Sequence, residues 1–476
     1  MRDKRPSRQT RRHVLASMTT GALIGWSGCA SDDGPTEEGP SKRSSATDNP
    51  STTQTDTAAR KTTADSTDPD TSIEDPYWNE SAPSGNVAYT DDPNWRMSGH
   101  DTGNTFTNLH AEGPSDDPSI RWTFERNTGG LMTGYNLHHP LIVNGTVYTS
   151  APITDSRDIA NSDEWNWEFL ALDATTGDPE PIFEADERIS HPIIVDGTVY
   201  VGVGSTVRAY DLESGAERWR QEIELGVSAI RKMGDVVIVT RRCVNMALLD
   251  EFQHVLALDA ETGEKLWDRE IGNVTCGQRL PIIKGKAVYS PDTTAVRDLR
   301  TGNRLGTIPV KPECTALHDE TLYGIAPIGE KNRQYISYDW KEMEERWRYK
   351  PVTAVGGGWP VTVDDVVVVN TINFDTFIET FVGIDRNTGE RLWETNPTEG
   401  FDADSSLGST YRIATKDTVY ISHHGGAVTA LDPTDGTIQW QLKTEEMGWE
   451  PIFGCALADD LLITVGGADG TLFAIS

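Results

Sequence analysis

The stretch VLALDAETGEKLW, residues 255–267, decides the fold of this chain. Its alternating apolar residues predict a β-strand that ends at Asp259. The Asp259 carboxylate can accept backbone N–H groups at the start of a tight turn, and Gly263 can adopt the positive φ that such a turn requires. Trp267 lies at the start of a second strand, where its large side chain can be buried between neighbouring sheets. This stretch therefore predicts two antiparallel strands joined by a short turn.

The same strand, turn and tryptophan recur along the chain. The repeated Asp returns at intervals of roughly 38–48 residues, which is the period of propeller blades. Weaker copies centre on Asp173, Asp298 and Asp339. Apolar hairpins such as the one around Asp196-Gly197 precede the copies, so each unit should have four antiparallel strands. The clear copies carry Asp211, Gly215 and Trp219; Asp259, Gly263 and Trp267; Asp385, Gly389 and Trp393; and Asp432, Gly436 and Trp440.

The two ends of the repeat region complement each other. Eight units can be traced between residues 140 and 476, and the last one stops at Ser476, where the turn to its fourth strand should begin. Residues 120–125, which include Trp122, resemble a fourth strand. We therefore predict an all-β fold, an eight-bladed β-propeller with four antiparallel strands per blade, whose ring is closed by an N-terminal strand. Unrelated hairpins in a β-sandwich are the alternative.

The repeat also carries a family resemblance. The pattern Ala-x-Asp-x-x-Thr-Gly-x-x-x-Trp of residues 257–267 resembles the tryptophan-docking motif of PQQ-like (pyrroloquinoline-quinone) repeats. Residues 94–101, NWRMSGHD, resemble the segment that precedes many propellers of that family, so the resemblance covers about residues 94–476. It implies the fold of quinoprotein alcohol dehydrogenases. It implies no single function, because the family includes PQQ-dependent dehydrogenases, the propeller lipoprotein of the outer-membrane barrel-assembly machinery, and ectodomains that bind or sense.

For the dehydrogenase members, the resemblance implies a site for PQQ and calcium. Those enzymes cap the quinone with two adjacent cysteines, whereas the five cysteines of this chain are never adjacent. Their calcium ligands and catalytic Asp cannot be placed here residue by residue, and a Cys-x-x-Cys-His haem motif is missing. We therefore predict no catalytic residue, metal or cofactor, and keep PQQ with calcium for the dehydrogenase alternative. Cys243 and Cys276 fall in neighbouring units, where they could form a disulfide or remain free thiols.

Five residues are candidates for lining the central channel, because they begin the first strand of their blades and inner strands line the channel of a propeller. Two histidines in adjacent blades could bind a metal, although a His before a Pro is more often a polar residue at the channel mouth. The run Gly356-Gly357-Gly358 could present an aromatic ring to a planar ligand, or form a plain loop before a strand. The five candidates are His139, His191, Trp359, Arg412 and Cys455.

The first part of the chain predicts export and anchoring. Arg11 and Arg12 resemble a twin-arginine export motif, and the uncharged apolar stretch 14–26 is shorter than the ~20 residues that span a bilayer. Ser27-Gly28-Cys29 resembles a lipobox, which implies a lipid on Cys29. We predict a signal peptide with lipobox in residues 1–29, a disordered Ser/Thr/Asp/Pro tether in 30–75, a lead-in segment in 76–119 and the propeller in 120–476.

The charge of the chain limits which partners it is expected to bind and in which environment it is expected to work. A formal net charge of -32 argues against binding to nucleic acid and against binding to anionic lipid through a polybasic segment. Arginine exceeds lysine and aspartate exceeds glutamate, as in proteins of salt-loving archaea; an acidic secreted protein from a low-salt organism is the alternative. After export, Asn79, Asn144 and Asn273 are candidate glycosylation sites.

These observations favour a monomer on the outer face of the cell membrane, held by a lipid anchor. We expect a protein-interaction scaffold or ligand-binding module whose partner is an envelope protein or a small ligand. A PQQ-dependent dehydrogenase that oxidises an alcohol or sugar outside the cell is the alternative, and a solute sensor is the third hypothesis.

Overall fold

The computed structural model of this chain describes residues 92–114, 116–125, 140–153, 166–223, 226–241, 253–272, 282–284, 287–289, 295–308, 313–328, 332–340, 342, 344–373, 375–376, 378–399, 409–423, 427–443, 454–466 and 471–476. Within these ranges, no helix has the length and apolar character needed to cross a membrane. Several residues singled out from the sequence lie outside them: Arg11, Arg12, Cys29, Asn79, His139, Cys243, Cys276 and Asn273.

The strands form eight antiparallel sheets, and each sheet is one blade of a β-propeller, which confirms the predicted architecture. Successive strands of a blade pair with one another, and the first strands of neighbouring blades lie against one another, so the first strand is innermost and the fourth is outermost.

The strands follow one another blade by blade along the chain, apart from the one that completes blade 8. Blade 1 contains β2 (Leu141–Val143), β3 (Thr146–Pro152), β4 (Trp167–Asp173) and β5 (Pro179–Ala185); blade 2 contains β6 (Ile189–Val195), β7 (Thr198–Val203), β8 (Thr206–Asp211) and β9 (Glu217–Glu222); blade 3 contains β10 (Val227–Met233), β11 (Val236–Arg241), β12 (Gln253–Asp259) and β13 (Lys265–Gly272); blade 4 contains β14 (Ile282–Lys284), β15 (Ala287–Tyr289), β16 (Ala295–Asp298) and β17 (Arg304–Thr307). Blade 5 contains β18 (Glu313–His318), β19 (Thr321–Ile328), β20 (Asn332–Asp339) and β21 (Glu344–Tyr349); blade 6 contains β22 (Ala354–Val355), β23 (Val361–Val363), β24 (Val366–Asn373), β25 (Ile378–Asp385) and β26 (Arg391–Thr395); blade 7 contains β27 (Ser409–Ala414), β28 (Val419–His423), β29 (Ala427–Leu431) and β30 (Ile438–Lys443); blade 8 contains β31 (Gly454–Ala458), β32 (Leu461–Gly466), β33 (Thr471–Ile475) and β1 (Ile120–Phe124).

Two blades depart from the simple order of four consecutive strands. In blade 6 the short strands β22 and β23 both pair with β24 and together take the place of the inner strand. In blade 8, β1 pairs antiparallel with β33, and Trp122 lies opposite Ala474. Beyond these paired strands, Ser119 and Ser476 exchange two backbone hydrogen bonds of 3.1 Å each. The outermost strand of the last blade is therefore supplied by the segment that precedes the first blade.

In the repeats that carry both residues, the Asp and the Gly shape the turn between the third and fourth strands. Oδ1 of Asp259 accepts the backbone N–H groups of Glu261 at 3.1 Å and Thr262 at 3.0 Å, and Gly263 has a φ of 74°. Backbone hydrogen bonds of the same kind lower the pKa of Asp173 and Asp385 below the ordinary value of a carboxyl group. In these turns the Asp carboxylate binds backbone N–H groups and the Gly supplies a positive φ.

The repeat tryptophan packs on the turn of the next blade. Nε1 of Trp219 donates a hydrogen bond of 3.0 Å to the carbonyl of Ala260, and a Cβ atom on Gly263 would lie 2.5 Å from the Trp219 ring. The glycine is therefore needed twice, for its positive φ and for the ring that lies against it. The same contact joins five pairs: Trp122 with Gly177, Trp219 with Gly263, Trp267 with Gly302, Trp347 with Gly389, and Trp393 with Gly436.

The junction between blades 4 and 5 uses a different tryptophan. The outer strand β17 has no tryptophan, and the turn that follows Asp339 has no glycine. Trp340, the residue directly after Asp339, is fully buried and meets the Tyr289 ring of blade 4 edge-on, with 5.9 Å between ring centroids. A tryptophan from the turn thus fills the space that the outer strand leaves.

Candidate functional site in the central channel

Residues 92–114, which we call the plug segment, fill the end of the central channel where hairpins join the first and second strands of the blades. The backbone of Trp95 exchanges hydrogen bonds of 2.7 and 3.0 Å with Ile142. One short segment therefore ties all eight inner strands together. It hydrogen-bonds to blades 1 through 8 at Ile142, Ile194, Arg231, Ile283, Leu317, Thr362, Ala414 and Leu457, respectively.

The plug segment has an unusual backbone that its own polar side chains support. His100, Asn104 and Phe106 have φ values of 72°, 59° and 55°, in the left-handed region that non-glycine residues rarely adopt. The Asp101 carboxylate accepts hydrogen bonds from the backbone N–H of Thr105 at 3.2 Å and from its hydroxyl at 2.7 Å. Such conformations cost free energy and persist only where the surrounding contacts impose them.

Buried charges connect the plug segment to blade 3. Arg231 of β10 is 1% exposed and donates hydrogen bonds to the Ser98 carbonyl at 2.6 Å and to Asn104 Oδ1 at 2.7 Å. Burial lowers the pKa of Arg231 to about 10, against the opposing charge of Asp101. Burial alone would raise the pKa of Asp101, but hydrogen bonds within the plug segment hold it below its ordinary value. Both groups are therefore charged at neutral pH, and their charges offset each other.

Arg412 lies at the centre of a polar cluster between blades 6 and 7. Its Nη1 donates to Asn370 Oδ1 and its Nη2 to the Gly357 carbonyl, each at 2.8 Å. The guanidinium carbon lies 5.2 Å from the Phe381 ring centre, and Asn370 Nδ2 donates to Glu379. Burial lowers the pKa of Arg412, which is 5% exposed. Four of its neighbours belong to blade 6, so Arg412 joins two blades.

The glycine run predicted to precede a strand forms a bulge inside one. Residues 356–360 separate β22 from β23, and both strands pair with β24. A Cβ atom on Gly356 would lie 2.3 Å from Asn370 Nδ2, and one on Gly358 would lie 2.4 Å from Arg412 Nη2. The glycines therefore allow the backbone of the inner strand to approach the Arg412 cluster closely.

The remaining channel candidates have different surroundings. The half-buried Trp359 lies with its ring centroid 5.3 Å from that of Phe106 in the plug segment. His191 is half-buried within β6, with a φ of 49°, where the register with β7 shifts. Cys455 is a buried free thiol whose Sγ is 3.3 Å from Ser422 Oγ, and burial raises its pKa to about 12. A thiol with this pKa is protonated at neutral pH and is a poor nucleophile.

A calcium site needs several oxygen ligands close together. Within the part of the chain that the structure describes, no group of three or more His, Cys, Asp or Glu residues could hold a metal ion. Glu379 is a buried carboxylate of β25, the third strand of blade 6, and its charge acts on the neighbouring Arg412 guanidinium. A positive charge at that place disfavours a divalent cation.

Two overlapping stretches of the sequence, residues 160–320 and 296–449, match the PQQ-repeat family described as outer membrane protein assembly factor BamB. The chain belongs to this BamB family. Together the two stretches cover more than half of the chain, and they run from the third strand of blade 1 to the end of blade 7. No curated protein matches the sequence.

Solved structures similar to this chain include both BamB and dehydrogenases. BamB from Moraxella catarrhalis is 15% identical, with a TM-score of 0.54 over 76% of this chain and 100% of that chain. A europium-containing methanol dehydrogenase is 12% identical, with a TM-score of 0.57 over 81% and 99%. The quinohemoprotein alcohol dehydrogenase from Comamonas testosteroni is 13% identical, with a TM-score of 0.55 over 80% of each chain. At these identities the likeness shows the fold alone.

The part that the plug segment plays in the channel is not evident from the sequence. The pattern of residues 94–101 indicates only a segment that precedes propellers. One signal was present in blade 3, where Arg231 stands in an inner strand at a position that is apolar in several other blades. The aligned residues are Leu141, Ile193, Ala316, Val361 and Ala456. A charged residue at such a position predicts a polar partner inside the channel.

Proposed function

We propose that this chain is an extracytoplasmic, lipid-anchored propeller that acts as a protein-interaction scaffold or ligand-binding module. The plug segment carries the proposal, because it fills one end of the channel with the chain's own backbone and joins all eight blades. A surface held in place before a partner arrives loses less conformational freedom on binding. Membership of the BamB family supports this function, since its description names an assembly factor.

The anchor part of the proposal depends on Arg11, Arg12 and Cys29. In cells of the native host, Cys29→Ser should move the protein from the membrane fraction to the soluble fraction outside the cell, because the thiol that would carry the lipid is gone. Arg11→Lys with Arg12→Lys should leave the precursor inside the cell. Fractionation and immunoblotting measure both effects. Membrane association that survives Cys29→Ser would contradict the anchor.

A dehydrogenase is the alternative function. The similarity of this chain's fold to that of a methanol dehydrogenase supports this alternative. The purified chain, incubated with PQQ and Ca²⁺, can be offered alcohols and sugars while reduction of an artificial dye is followed. We expect no saturable turnover above a control without PQQ. Saturable turnover that needs both PQQ and Ca²⁺ would overturn the scaffold function.

The partner can be sought in the intact cell envelope. Crosslinking followed by affinity purification of the anchored chain should recover a defined envelope protein in near-equal amount. The matched control is the Cys29→Ser chain, which has the same propeller but should lose partners that depend on the membrane location. If only the uncrosslinked monomer is recovered from both chains, a protein scaffold is the wrong function and a ligand-binding module remains.

A further inference from the structure

A cleft opens between blades 5 and 6 on the face that carries the hairpins. Its volume is about 210 Å³, and its lining includes His318, Asp319, Tyr323, Arg346 and Arg386. The cleft lies outside the central channel, because it is formed by the first hairpin of blade 5 and the turn between the third and fourth strands of blade 6.

Arg386 departs from its repeat. It is the residue directly after the turn Asp, and its carbonyl accepts the Nε1–H of Trp347 at 2.8 Å, as the corresponding carbonyl does at four other junctions. The repeat therefore needs the backbone of this residue and not its charge. The corresponding residues in the other described turns are all uncharged: Ala174, Leu212, Ala260, Leu299, Trp340 and Pro433.

His318 departs from its repeat in the same cleft. It is the last residue of β18, opposite Thr321, and its Nδ1 lies 2.8 Å from Thr362 Oγ1. Burial lowers the pKa of His318, so the ring is neutral at neutral pH and its Nε2 faces Asp319 at 3.5 Å. The corresponding residues in five other blades are apolar: Val143, Val195, Met233, Val363 and Ala458.

The two arginines of the cleft differ in the hydrogen bonds and ion pairs that their side chains form. Arg346 donates to Asp339 and to Thr321 Oγ1, and Arg218 of blade 2 makes the same pair of contacts, so this clamp belongs to the repeat. Among the residues that the structure describes, Arg386 forms one ion pair, with 3.6 Å between its Nη2 and Asp319 Oδ2, which is longer than a hydrogen bond. The Asp319 side chain is 71% exposed. A cation and a carboxylate therefore face the same space without close contact.

We propose that this cleft binds a small zwitterion, an α-amino acid, with the ligand carboxylate on Arg386 and the ligand ammonium at Asp319. A guanidinium recognises a carboxylate with paired hydrogen bonds, and Asp319 supplies the complementary charge for the amine. The neutral His318 and the Asn387 side chain add polar groups to the wall. The site goes beyond the proposed scaffold function and is independent of whether a partner binds the propeller.

Ligand-observed NMR titration of the purified full chain with L-alanine tests the site at the lowest ionic strength that keeps the chain folded. We expect saturable binding in the millimolar range, as suits a ligand with few atoms. Arg386→Ala should weaken it about tenfold or more, and Arg386→Lys should weaken it less, since the charge stays while the paired hydrogen bonds are lost. Acetate and ethylammonium, which each carry one of the two charges, should bind more weakly than L-alanine.

Arg300→Ala is the matched control. Arg300 is also a turn arginine and pairs with Asp235, a hairpin residue of the preceding blade, so the variant removes the same charge from a different junction, that of blades 3 and 4. Its affinity for L-alanine should equal that of the unaltered chain. The proposal is overturned if L-alanine does not bind, if Arg386→Ala binds it as tightly as Arg300→Ala does, or if acetate alone binds equally well. The scaffold function is tested by partner recovery, so either result can fail without the other.

Discussion

The glycine in five of the repeat turns meets two separate demands, a left-handed backbone and a tryptophan ring in contact. Gly145 meets only the first, because its φ is 72° and a Cβ atom there would have nothing within 4 Å. Gly263 meets both, with a φ of 74° and the Trp219 ring 2.5 Å from the added atom. Alanine substitutions at these two positions therefore separate the free-energy cost of a left-handed backbone from the cost of the contact with the tryptophan ring.

We predict that Gly145→Ala lowers the free energy of unfolding by about 1–2 kcal/mol, the cost of a left-handed alanine. Gly263→Ala should lower it by about 1–3 kcal/mol more, because the added methyl group overpacks the tryptophan. Urea titration followed by circular dichroism measures both. Equal losses in the two variants would show that the contact with Trp219 has no energetic weight.

Cys455 gives a chemical test at the same scale. With its pKa raised to about 12, the thiolate fraction near pH 8 is very small, and the side chain is buried. We predict that iodoacetamide leaves Cys455 unmodified in the folded protein and modifies it fully in urea, as read by peptide mass spectrometry. Modification of the folded protein at pH 8 that matches the rate of a free thiol would contradict the burial.

Among the elements, the plug segment has the widest set of contacts. Trp95 is fully buried and anchors the segment on blade 1, where its backbone pairs with Ile142. We predict that Trp95→Ala lowers the free energy of unfolding by about 3–5 kcal/mol, because a large buried ring is removed. Leu392→Ala, at a half-exposed position in β26, is the control and should change it by about 0.5 kcal/mol or less. Urea denaturation measures the free energy of unfolding of both variants. Similar values would show that the Trp95 side chain does not contribute to the stability of the core.

The elements also show what sequence can predict here. The turns and docking tryptophans were predictable because they recur, so each copy supports the next. The plug segment makes a different contact with every blade, and no repeat signals contacts that occur once. Arg412 was recognised as an inner-strand residue, but its partners Asn370 and Glu379 come from other strands and could not be paired with it from spacing alone.

For the whole molecule, β1 decides whether the eighth sheet has an open edge. We predict that deleting residues 120–125 lowers the melting temperature and causes self-association, because β33 would then expose its unpaired backbone. Deleting residues 60–65 of the proposed tether is the length-matched control and should change neither property. Light scattering coupled to size exclusion measures the mass, and an equally stable, monomeric product would contradict closure of the ring by this strand.

The net charge of -32 predicts a response to salt. Raising KCl from about 0.1 M to about 1 M shortens the screening length from ~10 Å to ~3 Å, which weakens the repulsion among acidic side chains. The melting temperature should rise over this range, and rise less in a sucrose series of equal osmolality. Differential scanning fluorimetry follows both series. A melting temperature that falls with KCl would contradict adaptation to high salt.

The pairing of β1 with β33 also constrains when the molecule can fold during its synthesis. A nascent chain makes the first of these strands long before its partner, which consists of Thr471–Ile475. Contacts between such distant segments form slowly, and until they form the unpaired edge is open to other chains. The ring can therefore close only after the five residues of β33 have been made, and until then the open edge of a nascent chain needs to be shielded by chaperones or closed quickly.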